Sequence, residues 1–99
     1  MDMEALMAQA AELQNKVAAA QEQLSKTLVR GIASGGACVI DMTGKYDVLN
    51  VTLRPDVLAG GADAVAQTVL MAYRDAKSKA DTIIDQVMGD ATAGMPLPQ

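Results

Sequence analysis

Apolar residues recur in steps of three and four across residues 2–28: Met3, Leu6, Ala10, Leu13, Val17, Ala20, Leu24 and Leu28. At 100° per residue these positions fall on one stripe, which predicts a single long amphipathic helix. Ala, Gln, Glu, Leu and Lys fill the remainder, and neither Gly nor Pro interrupts the run. The spacing matches the a and d positions of a coiled coil, held for a few heptads. A helix of about 25 residues is roughly 37 Å long, whereas a compact chain of about 100 residues has a radius of gyration near 13 Å. The helix is therefore expected to project beyond its own domain, with a stripe that needs a partner.

The period changes to two between Gly31 and Pro55. A short first strand over 28–33 carries Gly31 inside it, a residue that marks a bulge or a close backbone approach. Ser34-Gly35-Gly36 makes the first turn. Cys38, Ile40 and Met42 then alternate with Val39, Asp41 and Thr43. Gly44-Lys45 reads as a two-residue type II′ hairpin that sets the register. After it, Leu49, Val51 and Leu53 alternate with Asn50, Thr52 and Arg54. One apolar side at period two predicts an antiparallel meander over 28–55, with Cys38, Ile40, Met42, Leu49, Val51 and Leu53 as core or dimer contacts. Pro55 ends the third strand.

Asp56 to Ala62 reads as a loop broken by Gly60-Gly61, with Asp63 as the N-cap of a second helix. Val65, Val69, Ala72, Ala76, Ala80, Ile83 and Val87 again step by three and four, so the helix is expected over 63–88, with Gly89 at its C′ position. Residues 90–99 hold two prolines and no periodicity, and are expected to be extended and mobile, or laid over a surface. The fold class is α+β, a single α-β-β-β-α domain in which two long helices flank a three-stranded antiparallel meander. Three short strands do not cover two such helices, so a homodimer is expected.

Composition narrows the chemistry. The chain has 99 residues, no Phe, Trp or His, and two Tyr. Without His it lacks the commonest general base and metal ligand, and a zinc site would need one Cys plus carboxylates. No catalytic constellation, metal or cofactor is expected. The single Cys38 allows no intramolecular disulfide and reads as a small buried hydrophobe, which suits a reducing cytoplasm. The methionines read as fillers of a small-residue core. No signal peptide is visible, and no apolar run nears the roughly 20 residues that span a bilayer. Gly35-Gly36 does not open a helix, so a phosphate loop is not indicated. Twelve acids against eight bases leave a net charge of −4, opposite in sign to a strongly basic nucleic-acid binder.

The residues also resemble the YbaB/EbfC family of nucleoid-associated proteins, over nearly the whole chain. The likeness rests on four pieces in order. They are the opening helix ALMAQAAELQNKVAAAQEQL; the segment RGIASGGACVIDMTGKYDVLNVTL, with Gly31, Gly36, Thr43, Gly44 and Lys45 in the family's places; the helix segment AYRDAKSKA, Ala72 to Ala80; and the ending TAGMPLP, Thr92 to Pro98. The sequence departs from the family at Ile32, often polar there, and at Val39 and Asp41, where Lys and Thr are frequent. These changes lower the positive charge of the sheet. The resemblance implies a small cytoplasmic, nucleoid-associated homodimer whose helices project like tweezers and which binds DNA, without enzymatic activity or cofactor.

Phosphate contacts need exposed Lys or Arg. Arg74 and Lys77 project opposite the stripe of the second helix; Lys26 lies opposite the stripe of the first, and Lys16 lies on its flank. With Lys79 these form the candidate DNA-binding set. The same residues also fit an ordinary solvated face, because Asp81 follows Lys77 by four residues. Arg30 and Arg54 lie on strands, and Lys45 at a hairpin tip reads as a polar turn residue. Two tyrosines are too few for a base-stacking platform, and no helix-turn-helix or zinc-finger spacing is present. The expected ligand is duplex DNA, held through phosphates with little sequence preference and sensitive to salt. The alternative reading is a dimeric protein-interaction module with weak or no DNA binding.

Overall fold

The computed structural model describes residues 2–92. Helix α1 spans Met3–Lys26, and strands β1 (Leu28–Ala33), β2 (Cys38–Thr43) and β3 (Val48–Leu53) follow; a short helix α2 (Pro55–Ala59) leads into the long helix α3 (Ala62–Thr92). The three strands form one antiparallel sheet in the order β1-β2-β3. The molecule measures 67 × 23 × 17 Å and its radius of gyration is 19.1 Å. That is well above the ~13 Å of a compact chain this size.

Local chemistry sets the ends of α1. Asp2 is the N-cap, its carboxylate accepting from the Glu4 N–H at 3.1 Å. Glu4 in the first turn and Lys26 in the last complement the helix dipole. At the far end the Thr27 hydroxyl donates to the Gln23 carbonyl at 2.7 Å, and Leu28 passes to β1.

The core lies between the sheet and α3. Val29 and Ala33 of β1, Cys38, Ile40 and Met42 of β2, and Ala72, Ala76 and Ala80 of α3 are buried together, with Leu53, Val69 and Ile83 packed at the margin. The alanines let the strand approach closely. A Cβ on Gly31 would lie 2.1 Å from the Ala72 carbonyl oxygen and 2.6 Å from the Ala76 Cβ. The β1–β2 register is regular through Gly31, so this glycine serves backbone contact and not a bulge.

Several sequence expectations are corrected. The β2–β3 connection is not a two-residue turn opened by Gly44. It runs through Gly44–Asp47, with the Thr43 N–H donating to the Asp47 carbonyl at 2.9 Å and the left-handed residue at Tyr46 (φ 68°). The Thr43 hydroxyl oxygen accepts from the N–H groups of Lys45 and Asp47, both at 3.2 Å. Gly44 is required for a different reason. Its N–H donates to the carbonyls of Leu24 and Thr27, each at 3.0 Å, and a Cβ would meet the Leu24 carbonyl oxygen at 2.9 Å.

A bulge between Asp41 and Met42 pairs Met42 with Val48 and Asp41 with Asn50, leaving Leu49 as the extra residue. Of the six core candidates, Cys38, Ile40 and Met42 are buried and Leu53 is half-buried, whereas Leu49 and Val51 are exposed in a single protomer. The bulge turns Leu49 towards the hollow it shares with Leu28 and Arg30 on the sheet face away from α3. Helix α3 lies over β1 and β2 and leaves β3 uncovered except at Leu53, which packs against the core margin. The methionines divide similarly: Met42 is fully buried, but Met3, Met7 and Met71 are exposed. Met95 lies outside the described residues.

The segment read as a loop contains α2, with Pro55 in its first turn. Gly61 (φ 91°), not Asp63, holds the N-cap position of α3, because its carbonyl accepts the first helical bond, from Val65 at 3.1 Å. Asp63 sits inside the first turn, where its charge favours the helix. At the other end α3 continues through Gly89 to Thr92, so Asp90, Ala91 and Thr92 are helical and not extended. The rest of the expected extended tail, 93–99, lies outside the described residues.

Candidate nucleic-acid interface

Most of the chain's cations are engaged within the protein. Lys16 pairs with Glu12 at 3.4 Å and Lys26 with Glu22 at 3.1 Å, both one turn apart on α1. Arg30 pairs across the sheet with Asp41 at 2.9 Å, and Arg54 with Asp56 at 3.3 Å. These pairs are exposed or half-exposed. Such pairs are worth only about 0–1 kcal/mol, so a phosphate displaces the carboxylate cheaply.

Lys77 has two contacts. Its ammonium lies 3.4 Å from Asp81 and 5.7 Å from the centre of the Tyr46 ring. The Tyr46 hydroxyl donates to the other oxygen of Asp81. This bond joins the β2–β3 turn to α3. It raises the Tyr46 pKa, with desolvation and the charge of Asp81 adding to it. It also lowers the Asp81 pKa, with Lys77 as a further cause.

Lys79 is committed to the fold. Its ammonium lies 2.9 Å from Asp75 and donates to the Arg30 backbone carbonyl at 2.7 Å. Asp75 in turn accepts from the Ile32 backbone N–H at 2.9 Å, which together with Lys79 lowers its pKa. These two side chains, one turn apart on α3, satisfy the outer edge of β1.

Arg74 and Lys45 remain. Among the described residues neither has an ion-pair partner. Of the five candidates chosen from sequence, then, Arg74 is the one whose charge is uncommitted. Lys16, Lys26 and Lys77 hold exchangeable pairs. Lys45, read from the sequence as a turn residue, is a cation that helical projection could not find. These groups come from three elements, and the structure brings the turn close to both helices: Lys77 stacks on Tyr46, and Lys45 and Tyr46 line a hollow with Leu24 of α1 and Ile84 of α3.

Cys38 is fully buried, and burial raises its thiol pKa, as suits a core side chain. No group of three or more His, Cys, Asp or Glu among the described residues is placed to hold a metal ion. None of the helices so described is long and apolar enough to cross a membrane.

The architecture places the molecule in a class of small α+β proteins built as α-β-β-β-α, with long helices on a short sheet. The chain belongs to the YbaB/EbfC DNA-binding family, whose model matches residues 1–95. It is 37% identical over 93 residues to the nucleoid-associated protein BAV0915 of Bordetella avium (strain 197N), covering 94% of this chain and 86% of that protein. The fold also matches the crystal structure of the uncharacterized protein HP0035 from Helicobacter pylori. The TM-score is 0.81 at 13% identity, over 91% of this chain and 96% of that one.

Proposed function

We propose that this chain is a nucleoid-associated protein of the cytoplasm. It binds duplex DNA as a homodimer, mainly through phosphates and with little sequence preference. The observation that carries the reading is the family match across residues 1–95, and the Bordetella relative named for nucleoid association supports it.

The residue-level reading follows the ion pairs. Arg74 leads because it is uncommitted. Lys16, Lys26 and Lys77 follow by exchanging a solvent-exposed carboxylate for phosphate. Lys79 contributes by holding β1 and not by touching DNA. The net charge of −4 makes the interaction weak, and holding DNA through phosphates makes it sensitive to salt, with a slope set by the number of phosphates contacted. Exposed Val48, Leu49 and Val51 on β3, with Leu70, Met71 and Tyr73 on α3, support the homodimer. A single protomer leaves them in water.

Electrophoretic shifts on duplex DNA at several salt concentrations test this. A shift at low salt that fades as salt rises is expected. No shift at low salt, with the dimer confirmed by mass, overturns the reading. The acidic balance favours a second reading, a dimeric protein-interaction module. A defined protein partner that co-purifies after nuclease treatment would support it.

A further inference from the structure

The first half of α1 is exposed on every side. Residues 2–12 are all exposed, including the apolar stripe, with Met3 at 72%, Leu6 at 40% and Met7 at 68%. The cause is an offset between helices. Helix α1 runs antiparallel to α3. Leu24 lines the same hollow as Ile84 and Met88, and Lys16 and Ala20 line the same hollow as Val87 and Ala91. Residues 3–13 therefore pass the last described turn of α3, which ends at Thr92.

We propose that this projecting segment pairs with the same segment of a second copy, antiparallel about a two-fold axis. Met3, Ala10 and Val17 hold a positions, and Leu6 and Leu13 hold d positions. The antiparallel register that sets a against d places Met3 opposite the partner's Leu13 and Leu6 opposite the partner's Ala10. Charge selects the orientation. Asp2, Gln9 and Lys16 lie seven apart on one flank of the stripe. In an antiparallel two-fold pair like flanks meet, so Asp2 lies beside the partner's Lys16, and symmetry repeats the contact. The two Gln9 side chains meet between them, and the two Met7 side chains meet on the other flank. A parallel pair would instead set Asp2 against Met7 and Lys16 against Gln21, with no opposite charges. Lys16 leaves Glu12 for this contact at little cost, since both are exposed, and where two segments pair it holds the partner's Asp2 in place of a phosphate.

An overlap of about 15 residues is roughly 22 Å, so the contact is weak and is populated at high local concentration, as on DNA. Combined with the homodimer proposed above, on which this consequence rests, each chain carries two different two-fold contacts. Such an assembly extends from dimer to dimer. It can bring two DNA segments together.

Sedimentation equilibrium of the full chain, up to millimolar concentration, tests the pairing. A mass that rises above the dimer is expected for the wild type, and a Leu6→Lys variant is expected to remain a dimer. The substitution is at an exposed site, and circular dichroism checks that the helix content is kept. Oxidising a mixture of Met3→Cys and Leu13→Cys chains should give mixed disulfides that neither variant forms alone. If wild type and Leu6→Lys are both dimers at every concentration and no mixed disulfide forms, the pairing is overturned and the homodimer stands. If Leu6→Lys is a monomer while wild type is a dimer, the pairing stands and is itself the dimer contact, which removes the β3 and α3 surface from that role.

Discussion

Asp75, in the middle of α3, accepts a hydrogen bond from the backbone N–H of Ile32 at 2.9 Å across 43 residues of sequence. One turn later Lys79 takes the Arg30 carbonyl at 2.7 Å. The outer edge of β1 is therefore closed by side chains, while β3 at the other edge has no such cover. An uncovered edge strand is an invitation to association, and this asymmetry makes β3 the edge open to a second copy.

The Asp75 contact is expected to matter for stability and to titrate. Its pKa is lowered, first by the Ile32 N–H and then by Lys79, so the stabilisation is present above the ordinary carboxylate range. It is lost as pH falls below about 4 and through the lowered folded value. Asp75→Ala should cost on the order of 1 kcal/mol at neutral pH, a figure reduced for its partial exposure. Urea denaturation at neutral and acid pH should show the gap between wild type and variant closing in acid.

Gly31→Ala should be far more disruptive than Gly35→Ala. The added methyl group would sit 2.1 Å from the Ala72 carbonyl oxygen, an atom of a rigid helix backbone. The cost is about 3 kcal/mol or more. Nothing lies within 4 Å of a Cβ on Gly35, where only the left-handed φ of 65° is unfavourable, at about 1 kcal/mol. Thermal unfolding of the two variants should rank them in that order.

Arg74→Ala is expected to weaken duplex DNA binding and to lower the slope of log affinity against log salt by about 1 for each phosphate the side chain holds. Lys79→Ala should lower the unfolding midpoint instead. Its salt slope should match wild type, because that ammonium is already engaged by Asp75 and Arg30. Measuring slope and unfolding midpoint on the same preparations separates the two roles. An equal fall of slope in both variants would return Lys79 to the DNA contact.

Tyr46 should titrate above the ordinary tyrosine range, because its hydroxyl bonds to Asp81 and the carboxylate charge opposes ionisation. The stabilisation from this contact is present below the unfolded pKa of about 10 and is lost as pH rises through the raised folded value. Alkaline titration followed by ultraviolet absorbance should lose its latest component in Tyr46→Phe.

Val51→Lys is expected to shift the mass from dimer towards monomer while leaving the fold intact, since Val51 is exposed in the protomer. Analytical ultracentrifugation with circular dichroism on the same samples checks this.

Much of the local structure is legible in the order of residues alone. Period-two alternation located β2 and β3 and put Cys38, Ile40 and Met42 on one side. Steps of three and four located both long helices. The errors share a cause, which is that period alone reports which residues could face a core and not where a core is. Leu49 kept the alternation yet is re-aimed by a one-residue bulge. Val51 kept it and is exposed because α3 crosses only β1 and β2. Gly44 lies in the turn that its sequence neighbours indicate, but the need for glycine there comes from Leu24, twenty residues away.

The same division holds for the candidate DNA site. Helical projection shows which Lys and Arg point away from an apolar stripe, and Arg74 is exposed as projected. It could not show that Lys79 reaches a strand backbone 49 residues earlier, or that Lys45 stands without an ion-pair partner among the described residues. The sequence by itself determined the two long helices, the three strands, their order and the family, because periodicity acts over a few neighbouring positions. Only the tertiary structure decided which face of the sheet is covered, which cations lack an ion-pair partner among the described residues and where α1 passes Thr92, the last described residue of α3. These depend on where distant segments meet in space, and no local pattern encodes that.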